Sequence, residues 1–296
     1  MSSMFFQQLL NGLGIGCTYA LIALGYNLIF GVLKVVNLAY GEIFMASAFA
    51  TLISASLLPG QPIIIILVAL GVAVVTGLLI HLVAVKPLGD VTDLNSPRHL
   101  SVLISTLGCS LILQNLAIEA FGGYPQRVPQ LIPLRSFNMF GGQVELVLIL
   151  NLGVSLIVMG LLYLFLNRTF MGLRLRALSE NAELSLCAGV RVSRDQMFSV
   201  TISSGLAGVA AILITQMIGT VSPYIGLSYG FKGLVVLIVG GTGNMPGTVL
   251  IALLLGISEV FTVAYISSSY RDAVAFALLV TLLLIKAAVS GSSLRR

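Results

Sequence analysis

The sequence has little charge: 15 basic and 10 acidic residues among 296, or 8%, where soluble domains carry roughly 25%. Because so few polar groups cannot cover a globule of this size, the composition excludes a fully water-soluble protein. Hydrophobic residues make up 58%, and the runs Ile63–Val85 and Leu146–Leu166 carry no charge. A helix needs about 20 apolar residues to cross a membrane. Since the runs are continuous and do not alternate, they predict an all-α polytopic membrane protein.

Sequence motifs for nucleotide binding, hydrolysis and metal binding are also missing. The chain has no G-x-x-x-x-G-K-[ST], so it is not expected to bind ATP, and no G-x-S-x-G or H-E-x-x-H, so it is not expected to be a hydrolase. The three cysteines, Cys17, Cys109 and Cys187, are too scattered for a disulfide framework or a zinc site. His81 and His99 lack companions at ligand spacing. We therefore predict no catalytic residues, no metal site and, despite a net charge of +5, no nucleic-acid partner.

The hydrophobic runs predict about 8–9 transmembrane or membrane-inserted helices, some of them broken. Their expected bounds are 9–31, 35–58, 63–85, 100–121, 146–167, 196–221, 232–241, 248–267 and 272–289. The seventh is the weakest, because Leu234–Gly240 would rise only about 10 Å as a helix. It is either a re-entrant half-helix or a crossing built from broken pieces, and we favour the crossing.

The basic residues predict the topology. When the segment 168–195 is placed in the cytoplasm and the spans alternate, all basic residues lie inside except Arg127, Arg135, Lys232 and Arg271. This arrangement makes the N-terminus periplasmic. We expect a single transmembrane domain over 1–296, with a cytoplasmic loop at 168–195 and a periplasmic loop at 122–145. The latter is either a passive connector or a functional external face.

The predicted cytoplasmic loop is unusually charged. Eight charged residues lie in it: Arg168, Arg174, Arg176, Glu180, Glu183, Arg191, Arg194 and Asp195. We expect Ser179 to cap a short helix with Glu180 and Glu183 in its first turn, and Gly189 to end it. Such a helix could lie on anionic lipid or dock into a soluble partner. Charges of both signs and the glycine stop favour docking.

One acidic residue lies deep in a predicted span. The stretch VVNLAYGEIF places Asn37, Gly41 and Glu42 in the first third of the second span. A carboxylate at membrane depth is costly and faces protein or water. Glu42 is therefore either satisfied by the fold or lines a pathway. Glu259 is nearer a span end, where snorkelling towards the interface would be an adequate explanation.

A glycine-rich break follows the seventh segment. Gly240, Gly241 and Gly243 in VGGTGNMPGTV provide backbone freedom, and broken helices at membrane depth are typical of transport sites. In addition, LAYG at Leu38–Gly41 is echoed by LSYG at Leu227–Gly230. The echo is weak evidence for an internal repeat.

Four stretches together resemble one protein family. They are TYALIALGYNLIFGVLKVVNLAYGEIFM (Thr18–Met45), MGLRLRALSENAELSLCAGV (Met171–Val190), SPYIG (Ser222–Gly226) and VGGTGNMPG (Val239–Gly247). The first contains the signature Asn-x-x-x-Gly-Glu, and the second is similar to the loop through which such a permease couples to an ATPase. The chain resembles, over nearly its whole length, the permease subunit of high-affinity branched-chain amino acid ABC importers.

The resemblance implies an assembly in the bacterial inner membrane: this chain, a second homologous permease and two ATP-binding-cassette ATPases, supplied by a periplasmic solute-binding protein. ATP and Mg²⁺ would bind the ATPases, so no cofactor is expected in this chain. Urea and short-chain amide importers share these motifs and are the alternative. An autonomous channel or secondary carrier, in which Glu42 would titrate, is the rival class.

Two sets of residues are expected to carry function in such a permease. For coupling to the ATPase we expect Arg174, Arg176, Ser179, Glu180, Glu183 and Gly189. For the translocation pathway we expect Asn37, Gly41, Glu42, Gly240, Gly241 and Gly243. The substrate would be a branched-chain or related amino acid, moved inward by alternating access.

Overall fold

The computed structural model describes residues 2–88, 98–131, 136–139 and 142–293, and it is an α-helical bundle. The helices are α1 (Ser2–Leu33), α2 (Tyr40–Leu57), α3 (Pro62–Ile80), α4 (Arg98–Phe121), α5 (Leu146–Arg168), α6 (Phe170–Glu180), α7 (Ala182–Cys187), α8 (Val192–Ile218), α9 (Ile225–Gly240), α10 (Met245–Tyr265) and α11 (Arg271–Ser293). The strands are β1 (Gln126–Arg127), β2 (Ser136–Met139), β3 (Gly142–Glu145) and β4 (Thr220–Val221). A π-helical turn, His81–Val85, continues α3.

The predicted membrane fold is confirmed. Seven helices within the described ranges are long and apolar enough to cross a membrane: α1, α2, α3 with its continuation, α4, α5, α8 and α10. The apolar helix α9 is shorter, and the 23 residues of α11 give it a length of about 35 Å. The side of the membrane on which the N-terminus lies stays a prediction.

Helix α1 is the centre of the bundle. In its most apolar window 83% of the residues are buried, against 28% for α3 and α4. Glycines allow α10 to approach it closely, because a Cβ built on Gly12 would lie 2.8 Å from Ile257 Cα, and one on Gly16 would lie 2.8 Å from Leu253 Cα. Such small-residue contacts are typical of packed membrane helices. The outer helices α3 and α4 instead present apolar side chains outward, as a lipid-facing surface requires.

Short elements distinguish the two ends of the bundle. At one end α6 joins the first turn of α8 through an ion pair between Arg174 and Asp195, 2.7 Å apart. At the other end β1 pairs with β4 in antiparallel register, with Gln126 opposite Val221. Since α8 runs from the first group to the second, we call these the α6 end and the β4 end. The segment after α4 belongs to the β4 end, where β2 and β3 form a small hairpin.

Two predicted helix bounds were wrong. The second span begins at Tyr40 and not near residue 35, because the chain leaves α1 through Lys34 with a left-handed φ of 56°. The seventh segment is not built from broken pieces, since α9 is continuous from Ile225 to Gly240. Helix α9 starts just after β4. It ends at the turn containing Gly243, which lines one cavity together with Arg176 of α6. It therefore runs from the β4 end to the α6 end.

Candidate translocation and coupling sites

The start of α2 crosses α9 where both helices have glycine. A Cβ built on Gly230 would lie 2.9 Å from Gly41 Cα, and one on Gly226 would lie 3.0 Å from the Gly41 carbonyl carbon. Any larger side chain would force the two backbones apart. The similar tetrapeptides LAYG and LSYG therefore meet at this crossing, which no local sequence pattern could have shown.

Glu42 lies beside this crossing and is only 1% exposed. Its Oε1 accepts a hydrogen bond from Ser110 Oγ of α4 at 2.9 Å. Its Oε2 is buried against Gly226 and has no hydrogen-bond partner among the described residues. The fold therefore satisfies one oxygen of this carboxyl group and leaves the other without a partner among the described residues.

Asn37 precedes α2 and shapes the chain that enters it. Its Oδ1 accepts a hydrogen bond from the Ala39 N–H at 3.0 Å, and the next residue, Leu38, donates its N–H to Thr106 Oγ1 of α4 at 3.3 Å. Tyr40 then donates its hydroxyl to the Ser203 carbonyl at 2.7 Å. The predicted position of Asn37 inside the helix was wrong, because these contacts hold it in the turn before α2.

The glycine-rich break forms the turn between α9 and α10. Gly241 and Gly243 have φ values of 96° and 82°, which favour glycine. The Gly243 N–H donates to Asn27 Oδ1 of α1 at 2.7 Å, and the Asn244 side chain caps α10 by accepting from Gly247 N–H at 3.2 Å.

This turn is distant from Glu42. About 14 residues of α9 separate Gly226 from Gly240, a rise of about 21 Å. The structure therefore does not bring Gly240, Gly241 and Gly243 together with Asn37, Gly41 and Glu42. The predicted pathway set divides into one group at the α2–α9 crossing and another at the α6 end.

The charged loop contains two helices, not the one that was predicted. Ser179 lies in the last turn of α6, where its Oγ donates to the Arg176 carbonyl at 2.7 Å, so its predicted capping role was wrong. Asn181 caps α7 instead, accepting from Leu184 N–H at 3.0 Å. The backbone of Asn181 is extended, with a φ of −151° and a ψ of 110°, as an N-cap requires. Gly189 has a φ of 81° just after α7, which confirms it as the stop.

Three contacts attach α6 to the transmembrane helices. The buried Asp195 of α8 pairs with Arg174, whose side chain is about one third exposed. Lys34, at the end of α1, donates its ammonium group to the Ser179 carbonyl. Arg176 makes the third contact, since its guanidinium donates to Asn167 Oδ1 of α5 at 3.2 Å. Glu180 ends α6 in an exposed position, and the side chain of Glu183 lies outside the described residues.

The outer surface of α6 and α7 is apolar as well as charged. Four large hydrophobic side chains on it are exposed: Phe170, Leu173, Leu184 and Leu186. Phe170 is 89% exposed. A surface that mixes exposed apolar groups with charge is typical of a contact with another macromolecule.

A cluster of buried charge lies among α1, α9, α10 and α11. Glu259 of α10 is fully buried, accepts hydrogen bonds from Tyr19 and Lys232, and binds Arg271 Nε through Oε1 at 2.7 Å. Lys232 is also 2.8 Å from Asp272. The prediction that Glu259 snorkels was wrong, because its partners are supplied from inside the bundle. The only sequence signal for such a pair was that Lys232 and Glu259 both lie in otherwise apolar segments.

Comparison with known proteins identifies the family. A family described as branched-chain amino acid transport system, permease component, matches residues 8–283. The permease protein LivH of Salmonella typhimurium is 31% identical over 95% of this chain and 93% of its own length. The permease protein BraD of Pseudomonas aeruginosa is 32% identical over 95% and 94%. The chain belongs to this permease family. The resemblance found in the sequence is thereby confirmed.

Solved structures agree with this fold for the permease. PsaBC from Streptococcus pneumoniae, in complex with Fab, matches with a TM-score of 0.53 at 11% identity, covering 95% of both chains. An ABC transporter in an inward-facing conformation matches with a TM-score of 0.54 at 16% identity, over 94% of this chain and 85% of that one. At these identities the likeness shows the fold alone.

Among the described residues of the permease, no three His, Cys, Asp or Glu side chains are grouped to hold a metal ion.

Proposed function

We propose that this permease moves branched-chain amino acids inward across the bacterial cytoplasmic membrane as one subunit of an ATP-driven importer. The observation that carries the proposal is the 31–32% identity, over 95% of the chain, to relatives named as high-affinity branched-chain amino acid permeases. Its partners would be a second homologous permease, two ATPases that bind ATP and Mg²⁺, and a periplasmic solute-binding protein. The single domain 1–296 would have its N-terminus and 122–145 outside and 168–195 in the cytoplasm.

Reconstitution of the assembled transporter in liposomes tests the proposal. With ATP inside and the binding protein outside, leucine, isoleucine and valine should accumulate, and each should compete with the others. Accumulation of urea or short-chain amides in place of these amino acids would support the alternative importer class and overturn the substrate assignment.

The rival class, an autonomous channel or secondary carrier, is separated by the permease alone in ATP-free liposomes. We expect no uptake there above that of empty vesicles, with or without a pH gradient. Uptake by the chain alone would contradict the ABC assignment.

We further propose that α6 and α7 dock into the ATPase and pass its movement to the transmembrane helices. The exposed Phe170 and Leu184 would contact the partner, and Arg174 would transmit movement to α8 through Asp195. Lys34 would transmit it to the turn that leads to Asn37 and Glu42. One basic side chain thus joins the proposed coupling helix to the proposed pathway.

Lys34→Gln tests this connection. It keeps a long unbranched side chain and removes the ammonium group that binds the Ser179 carbonyl. We expect fewer amino acids transported per ATP hydrolysed, with ATPase binding retained. Lys86→Gln, at an exposed lysine in the 3₁₀ turn Lys86–Leu88, is the matched control. An unchanged ratio in Lys34→Gln would reject the connection.

For the pathway we retain Asn37, Gly41 and Glu42 near the α2–α9 crossing, with the turn at Gly240, Gly241 and Gly243 as flexible backbone at the α6 end. The unpartnered Oε2 of Glu42 supports this role. Glu42→Gln keeps the size of the side chain and should slow ATP-driven uptake without loss of folded protein. Full uptake by this variant would make Glu42 a structural residue only.

A further inference from the structure

The β4 end contains a cavity of about 370 Å³ between α1, α5, α8 and α10. Arg271, from the start of α11, completes its wall. The α6 end lies at the other extremity of α8, so this cavity is separate from the proposed coupling contacts. Its volume falls in the range of roughly 300–1,000 Å³ that small-molecule sites have.

We propose that this cavity is a substrate site of the permease and binds an α-amino acid as a zwitterion. Arg271 would hold the carboxylate, Glu145 and the amide oxygens of α1 would hold the ammonium group, and the apolar wall would hold a branched side chain. The inference rests on the proposed function and deepens it, because it names a place in this chain where the amino acid is recognised.

Arg271 has donors to spare. Its Nε is used by Glu259 and the Tyr229 hydroxyl is a further neighbour, but a guanidinium carries five N–H donors in a planar fork that suits a carboxylate. Its side chain is 33% exposed, whereas Glu259 is fully buried and Lys232 is 3% exposed. Of the charged cluster, Arg271 therefore presents the cationic surface that lines the cavity.

The charges around Arg271 are balanced in number. Lys232 and Arg271 both contact the buried carboxylate of Glu259, and Lys232 also contacts Asp272, whose side chain is 63% exposed. Glu259 lines the cavity together with Arg271 and Glu145. A substrate that brings one carboxylate and one ammonium group leaves this balance unchanged, as a zwitterion does.

The same cavity offers acceptors for an ammonium group. Glu145, at the N-cap of α5, contributes a carboxylate, and Gln7, Gln8 and Asn11 of α1 contribute amide oxygens. A cation and several acceptors in one cavity match the two charges of an amino acid. Urea and neutral amides have no carboxylate to offer Arg271, so they fit this cavity less well.

The remaining wall is aliphatic. Ile15, Leu148, Val260 and Val263 line it, one or two from each of three helices. Small-molecule sites combine a largely apolar wall with a few polar groups that fix orientation. The aliphatic surface accounts for a preference for side chains such as those of leucine and valine over polar ones.

Direct binding tests the proposal in the purified transporter, without ATP and without the binding protein. The probes are radiolabelled leucine, 4-methylpentanoate, which lacks the ammonium group, and isopentylamine, which lacks the carboxylate. We expect saturable leucine binding, with each analogue at least ten times weaker. Absence of saturable leucine binding, or equal binding of either analogue, would overturn the site.

Variants assign the two charges. Arg271→Gln should weaken leucine binding at least tenfold, while Arg127→Gln, an exposed arginine on β1, should leave it unchanged. Glu145→Gln should weaken leucine but not 4-methylpentanoate, a selective change that a merely structural role would not produce. If Arg271→Gln does not fold, Val263→Phe fills the cavity without touching a charge and should abolish binding. Unaltered leucine binding in Val263→Phe would reject the proposal.

ATP-driven uptake by the same preparation separates this inference from the proposed function. Leucine uptake in the absence of direct leucine binding would reject the cavity and leave the function intact. Loss of both, with uptake of another solute class, would reject the function itself.

Discussion

Two regions of the bundle treat charged side chains differently. At the α6 end, charged groups such as Glu180 are exposed on short helices. In the cluster among α1, α9, α10 and α11, Lys232 and Glu259 are buried and bound to each other. Charged residues in this chain therefore have two roles. Exposed ones are available for contacts with other molecules, and buried ones are neutralised by partners within the fold. The predictions below test that distinction, in order of decreasing effect on stability.

Removing one partner of the buried cluster should have the largest effect. Glu259→Ala leaves Lys232 buried without its main counter-charge, which costs about 3–5 kcal/mol in the free energy of unfolding. Thermal unfolding of the purified chain in detergent measures it. Replacing both residues by apolar ones of similar size, Lys232→Met with Glu259→Leu, should recover most of the loss. A loss below about 1 kcal/mol for Glu259→Ala would mean that the cluster is not a compensated pair.

Crowding the α2–α9 crossing should come next. Gly41→Val places side-chain atoms against the Gly226 carbonyl, and overpacking of this kind costs about 1–3 kcal/mol. Gly71→Val on α3 is the matched control, since a Cβ there meets nothing within 4 Å. Equal melting temperatures for the two variants would contradict the close crossing.

Cutting the link from α6 to α8 should cost less. Arg174→Ala leaves the buried Asp195 without its partner, but the partial exposure of Arg174 reduces the loss to about 1–2 kcal/mol. A cycle with Asp195→Asn isolates the pair, and the double variant should lose no more than the worse single one. Strict additivity would show that the pair does not interact.

Reversing two acidic residues at the α6 end should have the smallest effect on folding. Because Glu180 is exposed, we expect Glu180→Lys with Glu183→Lys to change the free energy of unfolding by less than about 0.5 kcal/mol. ATP-driven uptake should nevertheless fall, because the change falls on the proposed docking surface. Glu119→Lys, at an exposed position near the end of α4, is the control that should leave uptake unchanged. Normal uptake by the reversed pair would reject the docking role of these residues.

Local signals predicted much of the fold. Continuous apolar runs such as Leu146–Leu166 predicted helices because a lipid-facing backbone has no other way to satisfy its hydrogen bonds. Gly189 was identified as a helix stop because a left-handed residue is a local requirement. Ser179 was wrongly predicted to be the cap because serine and asparagine both cap helices well. The sequence did not show that α6 continues to Glu180, which leaves Asn181 as the cap of α7.

Contacts between distant segments could not be predicted in this way. The meeting of Gly41 with Gly226 joins residues of α2 and α9, and the charge cluster joins Lys232 to Glu259 and Arg271 on three helices. Glu259 was taken for a snorkelling residue because one helix alone does not show what its neighbours supply.

By itself the sequence determined that this chain is a helical membrane protein of the permease family, since hydrophobic length and short signatures are local properties. The tertiary structure alone decided which polar groups are compensated and which remain available. Among the described residues Glu42 keeps one unpartnered oxygen, and Arg271 lines a cavity while it holds Glu259. The physical reason is that desolvation and pairing depend on the atoms that surround a group, and those atoms come from helices far apart in the chain.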